Sequence, residues 1–182
     1  MSAMNPIQNQ CDMRIYVADL AAYNNGILSG GWIDLPSDDI DAEVQRILDA
    51  GTSARVDAGV YDGVPSEEFA IHDYELPWNI DEWENIHDLN NAARKYDELD
   101  DTDRKKVNFL VSQGDNIDKA LQLYDLVDIY EDMSYQDLAE QIVDETWNVP
   151  EHLEPYIDYE KFARELEMDY AQIGDDLFYI QY

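Results

Sequence analysis

The sequence has 182 residues, of which 42 are Asp or Glu and 11 are Lys or Arg, so the formal charge at neutral pH is −31. Binding of nucleic acid through its phosphates needs a patch of Lys and Arg, which this composition does not provide. The same imbalance argues against docking on an anionic membrane. Because 45% of the residues are apolar and 13 are Tyr, the composition is still that of a folded protein.

The sequence also indicates a compartment. No apolar run approaches the roughly 18 residues of a membrane span, and residues 1–13 lack the basic start and apolar stretch of a secretory signal. We therefore expect a cytoplasmic protein. The single cysteine, Cys11, excludes a disulfide within the chain, and its polar surroundings do not suggest a catalytic thiol.

The acidity increases along the chain. Residues 1–55 carry 8 acids and 3 bases, residues 56–124 carry 17 and 6, and residues 125–182 carry 17 and 2, which gives −5, −11 and −15. Acidic tails are unbroken runs of charge, whereas here the carboxylates alternate with large apolar residues. The acids are therefore expected on folded elements.

The first predicted elements are two strands. Residues 13–20, MRIYVADL, are rich in β-branched and aromatic side chains, and a second apolar segment covers residues 27–35, ILSGGWIDL. Between them, Asn25-Gly26 is a strong hairpin signal. The two segments are therefore predicted to pair as a β-hairpin.

A helix and a third strand follow. Ser37 is the expected N-cap of a helix, and Gly51 is expected just past its end. Residues 51–66 contain several Gly and Pro and are expected to form a loop. The segment FAIHDYEL, residues 69–76, predicts the third strand.

Three short helices are predicted next. The first begins after a cap at Asp81 and carries an apolar stripe that starts at Trp83. The second begins at Thr102, and the third begins near Asp115 or Asn116. This part of the chain is expected to form a small helical unit.

The last part of the chain again mixes strands and helices. Residues 126–131 predict a strand, and Ser134 with Asp137 has the spacing of a capping box at the start of a helix. Asp158 is the expected cap of a further helix. Residues 168–182, with a Gly-Asp-Asp turn between two apolar segments, predict a closing hairpin.

These elements predict an α+β protein built as an elongated chain of three small domains. The predicted divisions are a polar leader expected to be disordered (1–12), an N-terminal α+β domain (13–79), a central helical domain (80–124) and a C-terminal α+β domain (125–182).

Motifs for catalysis or cofactor binding are not found. His72, His87 and His152 are far apart in sequence and suit structural roles. The segment Asp100–Asp103 begins like a calcium loop, but basic residues follow it and the glycine required at position six is missing. No catalytic residue, metal or cofactor is therefore predicted. A hydrolase with a pair of carboxylates stays an open alternative, because such pairs are defined in space.

The charge has two ordinary interpretations, a solvated surface and adaptation to high salt. A third is imitation of DNA. A compact chain of this length spans about 40 Å, and about 40 Å of duplex DNA carries roughly 24 negative charges. The charge is thus of the right size for a DNA mimic.

Four separated stretches resemble the ArdA-type antirestriction proteins. They are YVADL (16–20), YNNGILSGGWIDLP (23–36), EFAIHDYELPW (68–78) and PYIDYEKFAREL (155–166). The resemblance implies an inhibitor, often carried by mobile genetic elements, that mimics bent B-form DNA and competitively occupies the DNA-binding groove of type I restriction-modification enzymes. It also implies three domains, a homodimer formed through the C-terminal part, and no enzymatic activity. The alternative hypothesis is an acidic adaptor or chaperone for a basic DNA-binding protein.

Candidate residues follow from these hypotheses. The DNA-mimic acidic surface is assigned to Asp97, Glu98, Asp100, Asp101, Asp103, Asp115, Asp118, Asp128, Glu131, Asp132, Asp137, Glu140, Asp144 and Glu145, of which Asp115 and Asp137 are also candidate helix caps. The dimerisation candidates are Leu126, Val127, Ile129, Tyr130 and Met133. The aromatic residues of the similar stretches are interpreted as packing residues and not as binding anchors: Trp32, Tyr74, Trp78, Tyr156 and Tyr159.

Overall fold

A computed structural model of the protein describes residues 13–181, so the leader and Cys11 lie outside the described residues. These residues form seven α-helices and two three-stranded sheets, which confirms the predicted α+β class. The boundary between two compact units falls between Leu99 and Asp100. The predicted central domain spans this boundary, and the three-domain, elongated arrangement stays a prediction.

The first unit contains the three predicted strands. They are β1 (Met13–Asp19), β2 (Gly30–Leu35) and β3 (Phe69–Glu75), and β1 pairs antiparallel with both neighbours. The predicted pairing of the first two strands is confirmed. The connection is more than a turn at Asn25-Gly26, because a short helix, α1 (Leu20–Asn24), lies between the strands and Gly26 follows just after that helix.

The long helix of the first unit differs from the prediction at both ends. Helix α2 (Ile40–Asp57) is capped by Asp39, whose carboxylate accepts from the Ala42 N–H, and not by Ser37. The helix also continues past Gly51. Gly51 lies inside the helix, where the absence of a side chain leaves space for the carboxylate of Asp19. A Cβ at this position would lie 1.7 Å from Oδ2 of Asp19.

Helix α3 (Ile86–Asp97) starts later than predicted. Its cap is Asn85, whose side chain accepts from two backbone N–H groups, and not Asp81. Trp83 therefore precedes the helix and is exposed. Trp78 is buried, with its ring 5.4 Å from that of Tyr96, as the packing interpretation predicts.

The second unit has one incorrect cap and three correct ones. The first helix is capped by Asp100 instead of Thr102, whereas the caps at Asn116, Ser134 and Asp158 are as predicted. The elements are α4 (Asp101–Ser112), α5 (Ile117–Leu123), a 3₁₀ turn (Tyr124–Leu126), β4 (Val127–Tyr130), α6 (Tyr135–Thr146), a second 3₁₀ turn (Glu154–Tyr156), α7 (Tyr159–Leu166), β5 (Ala171–Ile173) and β6 (Asp176–Ile180).

The second sheet has the strand order β4-β6-β5 and is covered on both faces. Successive side chains of a strand point to opposite faces. Leu177 of β6 packs in a core with Leu138 of α6 and Leu166 of α7. The next residue, Phe178, stacks on Phe109 of α4 with 4.6 Å between ring centroids. The sheet is thus held between α4 and the α6–α7 pair.

Candidate acidic interaction surface

The two units are both acidic, and each contains a long stretch without Lys or Arg. In residues 56–93, which hold 10 acids, Asp62 and Glu75 pair with Arg55 and Arg14, so the charge is less compensated in the stretch of the second unit. Residues 13–99 carry 19 acids and 5 bases, and residues 100–182 carry 22 acids and 6 bases. Residues 120–160 contain 12 Asp or Glu and no Lys or Arg. This stretch, which we call the base-free stretch, includes α6 and the segment leading into α7.

Helix α6 begins at a reciprocal cap. The Asp137 backbone N–H donates to Oγ of Ser134, while Oδ2 of Asp137 accepts from the N–H and the hydroxyl of Ser134. These bonds, with the Ser134 side chain first, hold the pKa of Asp137 below its ordinary value. Asp137 therefore has a structural role as a cap, as was predicted for it, while remaining exposed.

The rest of α6 carries Glu140 and Asp144, four residues apart, on one acidic face, while Glu145 lies in the last turn, on the side of Leu138. Leu138 and Val143 are buried, whereas Glu140, Asp144 and Glu145 are exposed. The helix contains no Lys or Arg. Like charges four residues apart are destabilising in a helix, so the pair Glu140 and Asp144 is a feature that helix stability alone does not favour.

The acidic face continues toward α7. Burial raises the pKa of the Tyr159 phenol, and the carboxylates of Asp144, Glu140 and Glu154 raise it further. The influence of all three on one phenol shows that α6 and the turn before α7 contribute to a common region of negative potential. Tyr159 also packs against the core of this unit, as predicted.

The acids around α4 are compensated to a greater extent. Arg104 lies 3.7 Å from Asp101, and Lys106 lies 3.3 Å from Asp103. Asp100 has a further structural role, because its carboxylate accepts from the Asp103 N–H as the N-cap. This group is therefore less suited than α6 to attract cations from a partner.

Lys105 pairs with acids of the sheet. Its Nζ lies 2.8 Å from Oε1 of Glu131 and 2.7 Å from Oδ2 of Asp176. Hydrogen bonds to Asp176 and then to Glu131 raise the pKa of Lys105 well above its ordinary value. Glu131 is thus an ion-pair partner within the unit.

The remaining predicted acids are in varied environments. Asp115 does not cap α5, which Asn116 caps, and instead pairs with Lys119. Asp128 accepts from the Gln181 side chain. Asp118 is exposed in the first turn of α5, Asp132 is exposed in a turn, and Asp97 and Glu98 end α3 in the first unit. The predicted set therefore contains paired acids, caps and acids distributed over both units.

The dimerisation candidates differ in exposure. Val127 is 1% exposed, and Tyr130 and Met133 pack against the core of their own unit. Ile129 is partly buried, and Leu126 is 44% exposed. β4 lies at the edge of its sheet. Side-chain contacts from this segment would therefore come mainly from Leu126.

The packing interpretation is wrong for Tyr156. Its side chain is 81% exposed, and Leu153 and Trp147, earlier in the same part of the chain, are 45% and 49% exposed. The signal available in the sequence was the position of these apolar residues inside the base-free stretch, next to Pro150 and Pro155.

The described residues also bear on metal, small-ligand and membrane sites. Among residues 13–181, no three side chains of His, Cys, Asp or Glu converge in a way that would hold a metal ion. A cleft of about 290 Å³ at the start of α6 is lined by Asp132, Asp137 and Asp175 among others, but it is broad and shallow. No helix in the same range of residues is long and apolar enough to cross a membrane.

The fold and the surface define an acidic α+β protein with an uncompensated carboxylate face, which suits recognition of a cationic surface. The family model described as antirestriction protein (ArdA) matches residues 15–178, nearly the whole chain. The chain belongs to the ArdA antirestriction family, a family of inhibitor proteins. No curated protein shows significant similarity to the sequence.

Proposed function

We propose that the protein inhibits type I restriction-modification enzymes by mimicking the shape and charge of B-form DNA and occupying their DNA-binding groove. The observation that carries the proposal is the acidic face of α6, where Glu140 and Asp144 are exposed, with Glu145 exposed in the last turn, within a stretch that has no Lys or Arg. Membership of the antirestriction family supports the same conclusion independently.

The mechanism is competition. DNA-binding grooves attract phosphates with Lys and Arg, and the ions bound there are released when a polyanion enters. The carboxylates of α6 meet the same basic side chains, so the enzyme cannot hold DNA at the same time. Electrostatic complementarity of this kind increases the association rate and fixes the choice of partner. No covalent bond is made or broken.

The size of the charge agrees with this mechanism. One chain carries −31, which is the charge of roughly 15 base pairs of duplex DNA. We further propose a homodimer formed through residues 126–133, where β4 is an edge strand and Leu126 is exposed. Two chains carry twice −31, or −62, the charge of roughly 31 base pairs.

The test is displacement of labelled DNA from a purified type I enzyme at low salt. Complete displacement supports the proposal, and failure at high molar excess contradicts it. The triple variant Glu140→Gln, Asp144→Asn and Glu145→Gln should weaken inhibition gradually, by about 1.4- to 5-fold per charge. A hydrolase would instead lose all activity when one or two particular carboxylates are replaced.

A matched control separates the α6 face from the total charge. The variant Asp57→Asn, Glu67→Gln and Glu68→Gln also removes three exposed carboxylates, all from the first unit. Inhibition should change less in this control than in the α6 variant. Equal losses would show that net charge, and not this surface, determines binding. Recovery of a basic non-enzyme protein in a pull-down would favour the adaptor or chaperone hypothesis.

A further inference from the structure

An exposed apolar pair lies inside the most acidic part of the chain. Leu153 is 45% exposed and Tyr156 is 81% exposed. Leu153 precedes the 3₁₀ turn Glu154–Tyr156 and Tyr156 is its last residue, and the Tyr156 N–H donates to the Leu153 carbonyl at 3.0 Å. Side chains three residues apart in a 3₁₀ turn lie one above the other. Leu153 and Tyr156 therefore form one apolar projection, which we call the 153/156 projection.

The segment that carries this projection is attached at both ends. At its start, the Trp147 ring stacks on Phe162 of α7 with 5.4 Å between centroids. At its end, the chain enters α7, which Asp158 caps and whose first residue, Tyr159, packs against the core of the unit. The projection is thus positioned next to the acidic face of α6 by contacts that do not use Leu153 or Tyr156.

Charge decides which kind of surface can cover the projection. The base-free stretch, residues 120–160, has 12 acids and no Lys or Arg. A second copy of the α6 face would bring Glu140 and Asp144 against like charges, which opposes association. The edge strand proposed for the homodimer is a different part of the stretch, where Glu131 is paired with Lys105. An anionic lipid surface is disfavoured for the same reason. A protein surface with Lys and Arg around an apolar slot is complementary to both the acids and the projection.

We propose that Leu153 and Tyr156 anchor the protein in an apolar slot, flanked by basic side chains, on the protein surface that the α6 face binds. The proposal rests on the proposed function and deepens it, because a DNA backbone offers no apolar side chain and cannot make this contact. Tyrosine is a common anchor of protein interfaces because it buries a large rigid ring at low entropic cost.

The anchor gives binding a component that salt does not screen. Attraction between exposed charges weakens as the Debye length falls from about 10 Å at 0.1 M salt to about 3 Å at 1 M. Burial of apolar surface is not screened in this way. Removal of Tyr156 should therefore weaken binding equally at low and high salt, whereas removal of α6 charges should matter less as salt rises.

The experiment measures the affinity of the full-length protein for a type I restriction enzyme, by competition with labelled DNA, at about 0.05 and about 0.3 M salt. Tyr156→Ala should weaken binding by about fivefold or more at both salt concentrations, and Tyr156→Phe should restore it. Leu28→Ala, which truncates a side chain that is 87% exposed in the first unit, is the control and should bind like the unchanged protein.

Each other outcome contradicts the proposal. If the unchanged protein displaces DNA but Tyr156→Ala loses less than about fivefold, or loses affinity only at low salt, the anchor is wrong and the proposed function stands. If the unchanged protein does not displace DNA, both fail. A lower sedimentation mass for Tyr156→Ala would assign the projection to self-association. Matching thermal unfolding curves establish that the exposed substitutions leave the fold intact.

Discussion

Alanine at Gly51 tests the packing of the first unit, because the structure reverses the usual effect of this substitution. Within a helix, Gly→Ala ordinarily stabilises by about 0.8–1 kcal/mol. Gly51 lies inside α2 and faces Asp19, which is completely buried at the end of β1. A Cβ at residue 51 would lie 1.7 Å from Oδ2 and 2.5 Å from Cγ of that carboxylate.

The clash has only costly solutions. Rotation of Asp19 breaks the bond from the Ala22 N–H to its Oδ1, 2.8 Å long, which caps α1, and loss of such a cap costs about 1 kcal/mol. Displacement of α2 from β1 costs about 1–3 kcal/mol as overpacking. Together the two effects cost about 2–4 kcal/mol. After subtraction of the helix preference of about 1 kcal/mol, Gly51→Ala should destabilise by about 1–3 kcal/mol, which lowers the melting temperature of a unit of this size by about 5–20 °C.

Thermal and urea unfolding followed by circular dichroism measure this effect. Ser53→Ala, at an exposed position of the same helix, is the control and should change stability by less than about 0.5 kcal/mol. In a background with Asp19→Ala, the carboxylate contacts are gone and only the approach to Cβ of residue 19, 2.9 Å, remains, so Gly51→Ala should cost less there than in the original protein. A Gly51→Ala protein that is more stable than the original would refute the packing argument.

Two further predictions concern the second unit. Ser134→Ala removes one half of the capping box and should destabilise α6 by about 1 kcal/mol, measured by hydrogen exchange of its amides; unchanged exchange would contradict the role of the cap. Lys105→Met should destabilise at pH 7, because the Lys105 side chain, then the Asp132 N–H, hold the pKa of Asp176 below its ordinary value. A lowered carboxyl pKa stabilises above the ordinary pKa and is lost as pH falls through the lowered one, so urea unfolding should show the difference between the two proteins shrinking in acid. A difference that grows in acid would contradict the ion pair.

Helix caps were predictable where the sequence offers one good candidate. Ser134 with Asp137, and Asp158, are as expected from local chemistry alone, whereas at α5 two candidates were open and Asn116, not Asp115, is the cap. Asp100, Asp101, Thr102 and Asp103 are all acceptable caps, so the choice of Asp100 depends on which register buries Val107 and Leu110. Because the chain is rich in Asp, several residues can serve as a helix cap, and packing determines which of them does.

The error at Gly51 has a different cause. Glycine after an apolar helical pattern usually marks a helix end, and here it instead makes room for a buried carboxylate from another element. Nothing local to α2 reveals that neighbour. Contacts between distant segments, such as the bonds from Asn90 to both backbone groups of Ser37, are hidden from periodicity in the same way.

The sequence predicted that the candidate surface is negatively charged and that it lies in the C-terminal part of the chain. The C-terminal bias of the charge indicated the second unit, and the resemblance indicated the partner class. Which carboxylates are compensated depends on three-dimensional pairs such as Lys105 with Glu131 and Asp176. The exposure of Tyr156 was missed because large aromatic residues are usually buried.

The most direct test of the central claim is how inhibition depends on DNA concentration. If the protein occupies the DNA-binding groove, the apparent inhibition constant for a type I enzyme should rise in proportion to the concentration of competing DNA, and no complex should contain enzyme, DNA and inhibitor together. An inhibition constant that does not change with DNA concentration, or a stable ternary complex, would contradict DNA mimicry.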